Sequence, residues 1–139
     1  FYKRISETFG VRLHGPDEDT WKLIRDAAAV TVITGTLGWE GLLFGKPVVT
    51  FGDVIYNECE LTHRAGQVPK NQWHDVCRRA SFDHSHDEER LLEFVAAIRA
   101  TSRPGFLKNP NTFPAVMEPE NVERITDALA WGAGLRRVD

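Results

Sequence analysis

Within Thr34-Gly35-Thr36-Leu37-Gly38-Trp39-Glu40, two glycines, two threonine hydroxyls and a carboxylate fall inside seven residues. Gly35 and Gly38 carry no side chain, so a ligand there can touch the backbone. The Thr34 and Thr36 hydroxyls add donors. If a helix starts just beyond, its first N–H groups lack intrahelical partners and its dipole favours an anion. The combination suits a phosphate or diphosphate. Glu40, in the first helical turn, would repel a phosphate directly but could accept two ribose hydroxyls at once. It reads equally as a carboxylate complementing the helix dipole, worth about 0.3–1 kcal/mol.

Other groups carry less. Cys59, His63, His74 and Cys77 form Cys-x3-His and His-x2-Cys pairs at a spacing that zinc tolerates. They lie in ordinary polar sequence, and no metal is assigned to them. His84 and His86 flank Ser85 and read as solvated. Arg78-Arg79 and Arg136-Arg137 read as surface pairs, although Arg78 or Arg79 could lean over a cleft. Trp21 and Trp39 read as packing residues.

Such a bend must be delivered by a strand and received by a helix. Val30-Thr31-Val32-Ile33-Thr34 is a nearly continuous β-branched run, the pattern of a buried parallel strand. Leu37 to Phe44 predicts a short helix, ended by Gly45 in the left-handed position. Val48-Val49-Thr50-Phe51 predicts the next buried strand, closed by Gly52. Upstream, Val11-Arg12-Leu13-His14 predicts a short strand. Asp17 to Ala29 predicts a helix capped by Asp17, with Trp21, Ile24 and Ala28 as its apolar stripe. Strand, helix, strand, helix, strand over about 40 residues is a βαβαβ unit, hence a parallel, right-handed α/β layer.

The second half is less regular. Residues 53–71 predict a long loop with one helical turn. Ser85 and Glu88 form a capping box ahead of Leu91, Leu92, Phe94, Val95 and Ile98, predicting an amphipathic helix to Thr101. Residues 103–119, rich in proline, predict an extended segment. A last helix runs from near Pro119 to Gly132 and buries Val122, Ile125 and Leu129. Residues 1–139 are expected to form one domain, with 103–139 as its extended segment and C-terminal helix.

The stretch from Val32 to Gly52 resembles the signature of the capsular polysaccharide biosynthesis proteins, which include the Kdo transferases that prime bacterial capsule chains. Tyr56, after the Phe51-Gly52 pair, extends the likeness, as do Asp19 to Ile24 and Ala27-Ala28; together it covers residues 1 to 60. The resemblance implies one Rossmann-like lobe, the C-terminal one, of a two-lobed GT-B glycosyltransferase. It implies a nucleotide-activated sugar as donor, CMP-Kdo in the best-known branch, a glycan or glycolipid acceptor, and no metal or other cofactor. Carried onto this chain, Gly35, Thr36 and Gly38, beside Thr34, would face the phosphate and Glu40 the ribose. His14-Gly15-Pro16 either walls the base or simply closes a turn. Trp131 would touch a further lobe.

The N-terminal lobe and the family's His-Pro dipeptide lie outside these residues, and no residue here offers itself as catalytic base. The chain alone is therefore expected to bind nucleotide without transferring sugar. Two other readings stay open: a sugar-nucleotide 2-epimerase lobe of the same plan, and a non-catalytic binding or assembly module.

Composition excludes some classes. A net charge of −3 lacks the positive field of a nucleic-acid binder. No apolar run approaches the roughly 20 residues that span a bilayer. Two cysteines do not make a disulfide scaffold, so a cytoplasmic setting is expected, with a peripheral place at the inner membrane left open. Phe1-Tyr2-Lys3-Arg4-Ile5 reads as the interior of a helix in a longer protein.

Overall fold

The computed structural model describes residues 1–83 and 85–135. The readings of His84 and of Arg136-Arg137 lie outside the described residues. In chain order the elements are helices Tyr2–Phe9 (α1) and Thr20–Asp26 (α2), strand Val30–Val32 (β1), helix Leu37–Leu43 (α3), strands Val48–Thr50 (β2) and Thr62–Arg64 (β3), and helices Trp73–Ala80 (α4), Glu88–Thr101 (α5) and Pro119–Gly132 (α6). The chain divides within α5 into two compact units, Phe1–Phe94 and Val95–Asp139.

The first unit is built on a parallel sheet in the order β1-β2-β3. β2 is central and wholly buried, with Val48 opposite Val30 on one side and Thr62 on the other. Side chains alternate faces along a strand, so Val48 and Val49 serve different cores. Val48 packs with Val30, Val32, Ile24, Leu42 and Leu91 on the face that α3 covers. Val49 packs with Ala65, Val76 and Ala80 on the face that α4 covers. A Cβ at Gly41 would stand 3.0 Å from Val48 and 3.2 Å from Val30, so glycine lets α3 lie close on the strands. This is a Rossmann-like α/β fold, a parallel sheet flanked by helices, with the β1–α3–β2 crossover where the sequence puts it.

Several expectations are corrected. Residues 11–15 form no strand: Val11 and Leu13 stand 45% and 49% exposed and find no ladder. The third parallel strand is β3 instead, inside the stretch read as loop. β1 is buried on one face only, since α4 covers β2 and β3 and leaves Thr31 and Ile33 exposed. Asp19, not Asp17, caps α2 by accepting the Lys22 N–H at 3.0 Å, and of its stripe Ile24 is buried while Trp21 is 61% exposed. The cap ahead of α5 is Asp87, which accepts the Arg90 N–H at 2.9 Å, while the Ser85 hydroxyl donates to Asp83.

In the second unit, α6 starts at Pro119 as its sequence predicts. Its buried face differs. Asn121 is buried and accepts from the Phe106 N–H at 3.0 Å while donating to the Phe106 and Val116 carbonyls. Those bonds turn Val122 and Leu129 outward. Among the described residues no helix is long and apolar enough to cross a membrane.

Candidate functional site

β1 ends at Val32, and the chain then turns through Ile33 to Thr36 before α3 begins at Leu37. Thr34, Gly35 and Thr36 are all exposed. The neighbouring strand steadies this bend, because the Phe51 and Gly52 N–H groups donate to the Val32 and Ile33 carbonyls, each at 2.9 Å. Gly35 is open: a Cβ there would meet nothing nearer than the Leu37 nitrogen at 3.9 Å. Glycine at this position therefore satisfies no packing demand of the protein itself. α3 has only two turns, so the local amides at its start, rather than a long macrodipole, supply the positive field.

Gly38 has a different task. It is buried, and a Cβ there would lie 2.5 Å from the Tyr56 hydroxyl and 2.9 Å from Val32. Tyr56 occupies that space, and its hydroxyl donates to the Gly35 carbonyl at 2.6 Å. Burial raises the Tyr56 phenol above its ordinary pKa, which keeps the donor proton in place. One side chain thus fixes both ends of the bend. Trp39 packs beside it, 6.4 Å from Tyr56 and 5.9 Å from Phe94 between ring centres, as a packing residue should.

Glu40 is half-buried one turn into α3, and among the described residues no cation pairs with its carboxylate. Thr34, Gly35 and Thr36 thus lie on the exposed bend, while Gly38 is buried at the start of α3 and Glu40 half-buried in its first turn. His14 lies on the irregular segment before α2, with Nδ1 3.8 Å from Glu18 Oε1.

The other constellations fall apart or lie elsewhere. Cys59 and Cys77 belong to the two different cores, and among the described residues no three His, Cys, Asp or Glu side chains converge as metal ligands. Burial pushes the Cys59 thiol up. Arg78 stays on the surface, 3.9 Å from Asp75. His63 Nε2 lies 3.1 Å from Asp83 Oδ2, in a cavity lined by Lys46, Pro47, Leu61 and Thr62, hence at the amino ends of β2 and β3. Ligands of parallel α/β sheets bind at the opposite, carboxyl ends.

At the carboxyl ends the structure adds what the sequence did not reveal. A cavity of about 260 Å³ is lined by Thr50, Gly52, Asp53, Asn57, Arg64 and Gln67 among others. Its wall at Gly52 abuts the bend, since a Cβ on Gly52 would stand 2.8 Å from the Ile33 carbonyl oxygen and from Thr34 Cγ2. Buried Asn57 ties the strands together, accepting from the Thr50 and Thr62 hydroxyls at 3.0 and 2.8 Å.

Fold and site together define a Rossmann-like α/β unit with an open bend and a polar cavity at the carboxyl ends of its strands. A model of the capsule polysaccharide biosynthesis protein family matches residues 3–98, more than half of the chain. The chain belongs to that family, and its role lies in capsule polysaccharide biosynthesis. No curated protein and no solved structure matches it.

Proposed function

We infer that this chain is the donor-binding lobe of a GT-B glycosyltransferase for capsule or surface polysaccharide, taking a nucleotide-activated sugar, with CMP-Kdo the first candidate. One observation carries the reading: Gly35 is a solvent-open glycine at the carboxyl end of a parallel strand, with no packing reason to be glycine. Bare amides at Gly35 and Thr36, with the Thr34 and Thr36 hydroxyls, receive the donor's phosphates as the turn enters Gly38. Glu40, which pairs with no cation among the described residues, takes the ribose hydroxyls. His14 would wall the base only if its segment closes toward the bend. A second lobe supplies the acceptor site, so residues 1–139 bind donor and do not transfer sugar.

The test uses a side chain the fold tolerates. Gly35 has no positive φ and no close neighbour, so Gly35→Val should fold as the wild type does. Wild type and variant are titrated with CMP, UDP and GDP and their sugars. Selective CMP-sugar binding that the variant loses supports the reading; UDP-N-acetylglucosamine selectivity favours an epimerase lobe. A folded wild type that binds no nucleotide leaves a non-catalytic module.

A further inference from the structure

The cavity beside the bend contains a cation that nothing above uses. Arg64 ends β3, its side chain 29% exposed, and it lines that cavity. Its guanidinium donates to the Asn57 carbonyl. The Asn57 side chain is in turn locked by the hydroxyls of Thr50 and Thr62. The arginine is thus anchored at one nitrogen by a rigid, buried hub. Its acidic neighbour, Glu58, holds it weakly: Oε1 is 3.7 Å away, beyond hydrogen-bond reach, on a side chain 74% exposed.

A guanidinium has five N–H donors in a planar fork that matches an oxyanion. Among the described residues its partners are one carbonyl and one distant carboxylate, which do not satisfy that fork, and the cavity leaves room for an anion beside it. Glycine at position 66 adds to the case for a shaped site. A Cβ there would stand 2.2 Å from the Phe51 carbonyl oxygen, so the chain after β3 is drawn tight against the end of β2, keeping Arg64 level with the bend. Asp53, exposed on the cavity's rim, would repel a bare anion but accepts the hydroxyls of a sugar that carries one.

We propose that Arg64 is the cationic half of the donor site and binds an oxyanion of the activated sugar. This rests on the donor-binding reading and deepens it: the bend supplies neutral amides, and Arg64 supplies the charge. The oxyanion is either the donor's phosphate or a carboxylate on its sugar.

The experiment titrates the full chain with inorganic pyrophosphate, CMP, CMP-Kdo, UDP and UDP-N-acetylglucosamine, comparing wild type, Arg64→Gln, Glu58→Gln, the double variant and Gly35→Val. Arg64→Gln is expected to weaken binding about tenfold or more, as befits one lost charge-assisted hydrogen bond. An equal loss for CMP and CMP-Kdo identifies the phosphate; a loss for CMP-Kdo alone identifies the carboxylate. Glu58→Gln, at an exposed position that cannot threaten folding, should tighten binding about two- to threefold by releasing Arg64, and the gain should vanish in the double variant. If Arg64→Gln fails to fold, the Glu58→Gln titration decides alone, and unchanged affinity overturns the proposal. If Arg64→Gln binds as wild type while Gly35→Val loses the nucleotide, the donor site stands without Arg64. Pyrophosphate bound through Arg64, with every nucleotide refused, keeps the anion site and sinks the donor reading. A wild type that binds none of the probes overturns both.

Discussion

Replacing Gly38 by alanine separates packing from ligand contact within the bend. The new methyl would stand 2.5 Å from the Tyr56 hydroxyl, 2.9 Å from Val32 Cγ2 and 3.0 Å from Tyr56 Cζ. Overpacking of this kind costs about 1–3 kcal/mol. Tyr56→Phe removes the nearest of the three atoms and, with it, the bond to the Gly35 carbonyl. That bond is neutral and its acceptor sits on an exposed residue where water can replace the phenol, so the single change should cost about 0.5–1.5 kcal/mol. In the double variant the worst clash is gone while the contacts to Val32 and Cζ remain. The loss should therefore fall short of the sum of the single losses by about 1 kcal/mol, a coupling that urea denaturation can resolve.

Affinity tells the rest. If Tyr56 holds the bend in its binding conformation, deleting a bond of that strength weakens nucleotide binding by at most about tenfold. The phenylalanine variant should keep the same nucleotide selectivity, because no ligand contact has been lost. Additive stabilities in the cycle would show that the hydroxyl does not occupy the space above Gly38. A stability loss with wholly unchanged affinity would show that the bend needs no clamp. Either result refutes the reasoning.

Other predictions follow from the same geometry. Asn57→Ala leaves the Thr50 hydroxyl, on a residue only 1% exposed, without its acceptor, and should cost about 1–3 kcal/mol in urea denaturation. Hydrogen bonds from Ser85, first its hydroxyl and then its N–H, hold the Asp83 carboxyl below its ordinary pKa. Its stabilising contribution is complete above the unfolded value near pH 4 and disappears as pH falls through the lower folded value, so Ser85→Ala should shrink the acid-side loss of stability measured between pH 4 and pH 2. The raised Tyr56 phenol acts in the opposite direction: its contribution is complete below about pH 10 and is lost as pH rises through the folded value, so in a Tyr2→Phe background tyrosinate absorbance should grow together with alkaline unfolding. Cys59, buried and with its thiol pushed up, should resist a thiol reagent at pH 8 in the native chain and react once urea unfolds it.

Much of the sheet was legible because β2 and α3 announce themselves. Val48-Val49-Thr50 is a continuous β-branched run, buried because both faces are covered, and Gly45, at φ 65°, stops α3 where a left-handed residue is needed. The failures have physical causes. Val11 to His14 has β-branched and aliphatic character but no neighbour to pair with, and strand character without a ladder stays irregular. β3 hid for the converse reason: Thr62-His63-Arg64 is polar and half-exposed, and its strand state comes from pairing with β2 rather than from its own residues. The caps of α2 and α5 were missed by two residues each, since Asp17 and Ser85 have the right chemistry while Asp19 and Asp87 have the right backbone position.

The candidate site shows the same division. Gly35 and Gly38 look identical in sequence, and both invite the reading that a ligand approaches there. Only the atom opposite each missing Cβ tells them apart. At Gly38 that atom is the Tyr56 hydroxyl, 21 residues away from the Gly35 whose carbonyl it holds, so the reason for glycine is internal. At Gly35 no atom stands opposite, so no packing contact among the described residues asks for glycine there. Arg64 was invisible for a related cause. A lone arginine in a polar stretch carries no signal until β3 is known to be a strand and Asn57 is known to hold its guanidinium at the carboxyl edge of the sheet. Sequence displays which groups can bind a phosphate, but long-range pairing decides which of them face the same space.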